Sequence, residues 1–327
     1  MDTPDRAAFA LLGLARRYLG GTALSRSETA ASVLRALIRP LLGSGTGTAA
    51  FRGMRLEVPT ASSSIAAGLH GGFYERLELD LFEELCARSG CVVDVGANLG
   101  VYSCAAARLL PAGALLAAYE PAPGNLALLR RNLRGNTDDR HRAEVLLQEC
   151  AVGPTAGTVR LGLSSDIGLH AVTLDGSGDH TVPQVALDDA VPALLAARPH
   201  LATLDILKID VEGYDGHALR GARGVLARHR PALMIEFSRP QLARCGFTGE
   251  EFVALIEECY DEIHIIEESR NRITVCPPDA LLRPEYRSKL LNVVAVSRPE
   301  HRAVAAAWAA RGGARRQPAA GAVAARR

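Results

Sequence analysis

Apolar residues gather along this chain into short continuous runs rather than alternating with polar ones. The runs are CVVDV (91–95), ALLAAYE (114–120), EVLLQECAV (144–152), LDILKID (204–210) and PALMIEF (231–237), each separated from the next by helical or loop sequence. Runs of this kind mark strands buried on both faces of a parallel sheet. Two further runs, DEIHIIEE (261–268) and LLNVVAVS (290–297), have CPP and RPEYR between them and predict an antiparallel C-terminal edge hairpin. The expectation is an α/β fold with a doubly wound, mostly parallel, seven-stranded sheet. A Thr-, Gly- and Asp-rich stretch, from TVRLGL at 158 to TVPQVALDD at 181–189, interrupts the alternation and predicts an inserted hairpin beside the site.

The ends differ from this centre. Residues 1–45 predict a helical lead-in of two short helices, leaving through LLGSGTGTAA into an extended piece, FRGMRLEVP. Residues 46–300 form the expected main domain. Residues 301–327 predict a helix end and a tail biased to Ala, Arg and Gly, whose lack of an apolar stripe predicts disorder. The apolar run 7–15 is preceded by acids and cut by Arg16 and Arg17, so it fits neither a signal peptide nor a span of about 20 apolar residues. It reads as a helix on the domain's flank, with weak peripheral membrane contact through residues 7–19 as the other reading.

Composition narrows the function classes. The chain has 327 residues, of which 48% are hydrophobic, enough for a sizeable core. Lys and Arg number 37 against 36 Asp and Glu, which removes the broad positive field of a nucleic-acid binder. Seven scattered cysteines with no CxxC read as reduced thiols in a cytoplasmic protein. Oligomeric state is not readable.

The first strand and its turn, VVDVGANLG, carry the candidate chemistry. Ligands bind open parallel sheets outside the strands' carboxyl ends, beside that strand. Gly96 and Gly100 permit positive φ and close backbone approach, while Asp94 and Asn98 supply polar groups. Val101 and Tyr102 follow Gly100 where an ATPase-type phosphate loop needs Lys and Ser or Thr, so that class is excluded. Asn98 stands where a dinucleotide fold prefers a glycine against the pyrophosphate. A zwitterionic ligand without phosphate tolerates Asn98, and its ammonium suits Asp94, so S-adenosyl-L-methionine fits best. Glu120, ending the second strand, suits a ribose diol in either that ligand or NAD.

The chain also resembles the FkbM family of S-adenosyl-L-methionine-dependent methyltransferases, from about Gly72 to Phe237. The resemblance rests on GGFYERLELDLFEEL (71–85), DVGANLGVYS (94–103), YEPAPGNLALLRRNL (119–133), AVG (151–153), VALDD (185–189), KIDVEGYDGHALRGA (208–222) and PALMIEF, in that order. It implies a Rossmann-like class I methyltransferase fold and O-methylation of a sugar, glycan or secondary metabolite. Carried onto this sequence, it implies a cofactor loop of Asp94, Gly96, Ala97, Asn98 and Gly100, a ribose acid Glu120, and Asn125 in its Pro-x-Asn segment. Ala151, with Glu149 or Cys150 nearby, is expected beside the adenine. Where the family often has Glu, this chain has Asp215 behind Tyr214.

Side-chain alternation puts Lys208 and Asp210 on one face of the fourth strand. One reading is an ion pair from Lys208 to Asp210 or Glu212 that ties the sheet together. The other is that Asp210 positions or deprotonates an acceptor hydroxyl, with Glu212, His217 and Glu236 as further base candidates and His170 a weaker one. Asp210 and Glu212 are thin grounds for a divalent metal, and metal-free catalysis is expected. The expected partner is a small-molecule or glycan acceptor. The rival functions are an NAD-dependent oxidoreductase or epimerase, a catalytically inactive donor-binding scaffold, and a nucleic-acid methyltransferase.

Overall fold

The computed structural model describes residues 45–59, 63–72, 74–138, 143–163, 170–173, 178, 180–311 and 315–316. The expected lead-in helices, residues 7–19 and most of the tail lie outside the described residues. In chain order, a hairpin of β1 (Thr46–Phe51) and β2 (Met54–Pro59) precedes α1 (Ser63–Gly71) and α2 (Arg76–Cys86). Then come β3 (Cys91–Val95), α3 (Val101–Leu109), β4 (Leu115–Tyr119), α4 (Pro123–Asn136) and β5 (Glu144–Gln148). Four short strands follow, β6 (Ala151–Val152), β7 (Gly157–Gly162), β8 (Ala171–Thr173) and β9 (His180–Val185). After α5 (Leu187–Ala196) the chain forms β10 (Ile206–Ile209), α6 (Asp215–Arg220), α7 (Arg223–His229), β11 (Ala232–Phe237), α8 (Arg239–Arg244) and α9 (Gly249–Glu257). It continues through β12 (Ile263–Glu267), β13 (Arg272–Cys276), β14 (Leu291–Ala295), α10 (Pro299–Arg311) and β15 (Arg315–Arg316).

The main sheet runs β5-β4-β3-β10-β11-β14-β12-β13-β15. Its first five strands are parallel, and β14 lies antiparallel between β11 and β12. Those seven strands, from β5 to β12, are the expected doubly wound sheet. The two C-terminal runs do pair antiparallel as β12 and β14, but they do not form the edge. The hairpin partner of β12 is β13, from RITVC, which also pairs with β15. The third run divides into β5 and β6, and β6 joins β9, β7 and β8 in a separate small sheet that contains the expected inserted hairpin.

Alternation along β3 explains the two-sided core. Val92 faces the layer containing Phe82, Ala105 and Leu129, whereas Val93 and Val95 face Leu207, Leu226 and Phe252. Asp94 shares the face of Val92, and so points toward α2 and α3. The piece FRGMRLEVP is the turn and second strand of the β1–β2 hairpin. Arg52 and Gly53 both take positive φ, the conformation that a twist-matched two-residue turn requires. The buried Asn132 side chain accepts from the Glu57 amide and donates to the Leu99 carbonyl, joining the hairpin to the turn after β3. Trp308 of α10 donates to the Leu77 carbonyl and closes the same layer. Among the described residues no helix is long and apolar enough to cross a membrane.

At the opposite end of the sheet, Asp205 fixes β3 against β10. One carboxylate oxygen accepts from the Gly90 and Cys91 amides at 2.7 and 3.1 Å, and the other meets Arg298 at 2.9 Å. Asp205→Ala leaves two amides without their acceptor and Arg298 with only Glu300 as its ion-pair partner, and is expected to cost about 3 kcal/mol. Urea denaturation measures this, and a loss below about 1 kcal/mol contradicts it.

Candidate active site

β3 ends beside β10, where the strand order reverses, and a cavity of about 320 Å³ opens at the carboxyl ends of both. Sequence reasoning placed Asp94, Gly96, Ala97, Asn98, Glu120, Asn125, Ala151, Lys208, Asp210, Glu212 and Glu236 at the site, and all of them line this cavity. Cys150 and His170 line it as well. Gly100, Glu149 and His217 do not. Glu149 pairs with Arg130 on the surface. His217 places its Nε2 2.7 Å from the Cys245 carbonyl and stacks on Tyr214, so the structure does not bring it to the cavity.

The turn after β3 is tightly wound, with φ of 80° at Gly96, 52° at Asn98 and 95° at Gly100. A Cβ on Gly96 would overlap the backbone carbonyl of Asp210, and one on Gly100 would lie 2.6 Å from the Leu129 side chain. The bareness of these glycines therefore serves the protein's own close packing, a correction to reading it as clearance for a ligand. Because β10 can press against Gly96, Asp94 and Asp210 come to adjacent places on the cavity wall.

Asp94 is 1% exposed. Its Oδ2 accepts from Ser103 at 2.6 Å, while Oδ1 is buried without a hydrogen-bond partner. Burial raises its pKa, opposed by Lys208 and Ser103. Glu120 accepts the Asn98 amide on Oε2 and the Ala122 amide on Oε1, both at 2.8 Å. Burial pushes its carboxyl up to about 7 despite those bonds. Lys208 lies level with Asp94 across the strand pair, 3.0 Å from Asp210 Oδ2 and 4.4 Å from the centre of the Tyr102 ring. Burial opposes its charge, but Asp210, Asp94, Glu75 and Glu78 outweigh burial and hold the ammonium above the ordinary lysine range. The ion-pair reading of Lys208 and Asp210 thus holds, and Asp210 still lines the cavity.

Sequence reasoning missed the other side of this cluster. Tyr74, Glu75 and Tyr102 line the cavity, and the Tyr102 hydroxyl donates to Glu75 Oε2 at 2.7 Å. Glu78, one turn along α2, is buried and accepts from the Asn292 amide group at 2.5 Å. Burial pushes Glu75 up to about 7 and Glu78 up to about 8. The available signal was spacing, since Glu78 falls on the helix face that carries Phe82 and Leu85. Glu236 lines the opposite wall with Oε2 buried and unpartnered, and burial holds its carboxyl well above the usual range. Asp215 does not reach the cavity. It accepts the Val211 and Gly213 amides and locks its own turn. Among the described residues no group of three or more His, Cys, Asp or Glu is arranged to hold a metal ion.

The profile of the methyltransferase FkbM domain matches residues 94–263. Among solved structures, the chain is similar to methyltransferase FkbM from Methylobacillus flagellatus KT, at 17% identity over 72% of this chain and 54% of that one, with a TM-score of 0.39. This chain therefore spans about half the length of the Methylobacillus protein. It is also similar to an O-methyltransferase from Bacillus cereus, at 12% identity over 90% of this chain and all of that one (TM-score 0.37). Aeropyrum pernix fibrillarin is similar at 13% identity over 67% and 74% of the two chains (TM-score 0.34). No curated protein matches the chain.

Two outcomes follow from this geometry. Gly96→Ala drives a methyl into rigid backbone and is expected to cost upward of about 3 kcal/mol, whereas Gly100→Ala meets a movable leucine tip and costs about 1–2 kcal/mol. Equal losses on chemical denaturation contradict the clash. Glu75, Glu78 and Glu120 hold protons in the folded chain that the unfolded chain releases above its ordinary pKa of 4.5. His70, His229 and His301, which burial holds below their ordinary value, oppose this below about pH 6.5, so protein stability is expected to fall as pH rises from about 6.5 to 8. The lowered carboxyls of Glu144, Glu251 and Glu300 contribute their full share throughout that window. A melting temperature that stays flat or rises there contradicts the assignment.

Proposed function

The chain belongs to the FkbM methyltransferase family, and from that premise we propose that it is an S-adenosyl-L-methionine-dependent methyltransferase acting on a hydroxyl of a small-molecule or glycan acceptor. The observation that carries this reading is Asp94 Oδ1, buried at the cavity wall with no partner. An orphaned buried acceptor is costly unless a ligand donor completes it, and an amino-acid ammonium supplies that donor. Glu120 supports the same ligand. Its two oxygens accept two backbone amides and the Asn125 side chain, which leaves the carboxylate room for a ribose hydroxyl. Asn125, Ala151 and Cys150 provide the wall for the nucleoside. NAD is disfavoured because the Asn98 amide is already given to Glu120 and is not left for a pyrophosphate. The near-even charge balance disfavours a nucleic-acid acceptor.

When bound, the donor supplies a methyl group already activated by a sulfonium charge. The protein's part is alignment, which is worth on the order of 7–11 kcal/mol, and removal of the hydroxyl proton, worth roughly 10²–10⁴ in rate. Asp210 accepts the hydrogen bond, and then the proton, of the acceptor hydroxyl. Lys208 holds Asp210 in place. Glu236 keeps its own proton, so it orients the acceptor rather than acting as base, and Glu212, beside Gln241, borders the same space. A cytoplasmic location fits the seven buried thiols.

Asp94→Ala is expected to abolish donor binding by calorimetry. Asp210→Asn is expected to retain donor binding while methyl transfer falls by roughly 10²-fold or more. Transfer at the wild-type rate in Asp210→Asn would remove Asp210 from the chemistry, and an inactive wild type that binds the donor would favour the scaffold reading.

A further inference from the structure

Among the described residues, six carboxylates line the cavity, those of Glu75, Asp94, Glu120, Asp210, Glu212 and Glu236, with one lysine and no arginine. Their partners are not equivalent. Asp210 is balanced by Lys208, Glu120 accepts two backbone amides, and Glu212 lies 3.4 Å from the amide nitrogen of Gln241. Asp94 is bound on one oxygen by Ser103 and bare on the other. Glu75 has for its hydrogen-bond partners two neutral phenols, those of Tyr102 and Tyr74, so nothing in those contacts offsets its charge.

The backbone at Glu75 has been set aside for this position. It is a non-glycine residue with φ 38° at the N-cap of α2, yet its side chain makes no cap bond. The first amides of α2, those of Leu77 and Glu78, are capped instead by Glu268 from the loop after β12, at 2.7 and 3.2 Å. Of the six non-glycine residues with positive φ among those described, three line this one cavity, Glu75, Asn98 and Glu212. Strain of this kind persists where surrounding structure holds it for a use.

We propose that Glu75 is a specificity-determining residue whose carboxylate supplies the counter-charge for the donor's sulfonium, so that the cavity favours the charged methyl donor over the neutral thioether left after transfer. The inference rests on the cavity being the donor site. S-adenosylmethionine and S-adenosylhomocysteine share their adenosine and amino-acid ends and differ by one methyl and one positive charge. A carboxylate within Coulomb range of the sulfur therefore stabilises one and leaves the other unchanged. Poise near neutrality suits the role. Burial pushes the Glu75 carboxyl up, Lys208 and the Tyr102 hydroxyl draw it down, and Asp210 and Glu268 push it up again. Tyr74 and Glu78 also face it on its own side. An arriving cation draws the charge out, and a departing neutral product lets the proton return.

Calorimetry at about pH 8, where a carboxyl displaced to about 7 is charged, tests this on the full chain with three probes. They are S-adenosylmethionine, its stable amine analogue sinefungin, and S-adenosylhomocysteine. Glu75→Gln is expected to weaken the two cationic probes by about tenfold while the neutral one stays within about twofold. The surface variant Glu149→Gln is expected to leave all three unchanged. If Glu75→Gln weakens all three alike, or none, Glu75 only braces Tyr102 and the proposal falls. Should that variant not fold, the wild type decides at about pH 7, where that carboxyl is half protonated, in two buffers of different ionisation enthalpy. S-adenosylmethionine is expected to release more protons than S-adenosylhomocysteine, and equal release overturns the proposal. A wild type that binds none of the probes overturns the donor-site reading itself, an outcome distinct from the loss of selectivity alone.

Discussion

The close approach of Gly96 to the Asp210 carbonyl sets the geometry on which the rest of the site depends. Two parallel strands end there with less space between them than one methyl group would occupy. The approach brings Asp94 to the level of Lys208 and leaves Asp210 just beyond it on the same face. The turn that follows is wound left-handed at three of five residues, and beside its own Gly100-to-Ala97 bond it is held by other parts of the chain. The Tyr119 carbonyl accepts the Gly96 and Ala97 amides, Glu120 accepts that of Asn98, and Asn132 donates to the Leu99 carbonyl. Such a turn is preorganised before any ligand arrives, so little ordering cost remains for binding.

Charge is the second constraint. Lys208 is 4% exposed, and an ammonium at that depth persists only because carboxylates surround it. The same carboxylates repel one another, and burial raises them toward neutrality, so several hold protons until a cation or a rise in pH removes them. A cavity built in this way is poor for phosphate or a carboxylate-rich ligand and well suited to a cation. Asp205, at the far end of the sheet, differs in that its Arg298 partner and two amides fully satisfy it. It binds the sheet together and offers nothing to a ligand.

The strands of the parallel half were legible because burial on both faces leaves continuous apolar runs, as in CVVDV and PALMIEF. β13 was not, since RITVC is short, begins on Arg272 and lies between Asn271 and a Pro-Pro pair. The β1–β2 turn was hidden in Arg52, a residue whose side chain gives no hint of positive φ. At the site, the acids at strand ends could be found because strand ends converge on the switch point. Glu75 and Tyr102 could not, since a helix start and a helix first turn meet the sheet only through packing that no local pattern records. His217 misled for the converse reason. It follows the KIDVEGYD segment closely in sequence, but α6 carries its ring away to the Cys245 carbonyl.

The walls of the cavity differ in how firmly they are held. Its charged residues, apart from Glu75 at the start of α2, come from strand ends and the turns beside them, which the sheet fixes rigidly. Among its apolar residues, Ile65 of α1 belongs to the main core, whereas Leu161 and Val172 come from the small inserted sheet and Leu290 from the segment before β14. The core of the inserted sheet consists of Ala122, Ala151, Leu161 and Val182, with Val159 and Val172 packed on it. Elements with so little buried area open at low free-energy cost, whereas the sheet does not. The apolar side formed by the inserted sheet is therefore the part of the wall that can yield, while the strands hold the carboxylates in place. Leu290, more than half exposed before any partner is present, marks where that apolar side already faces outward.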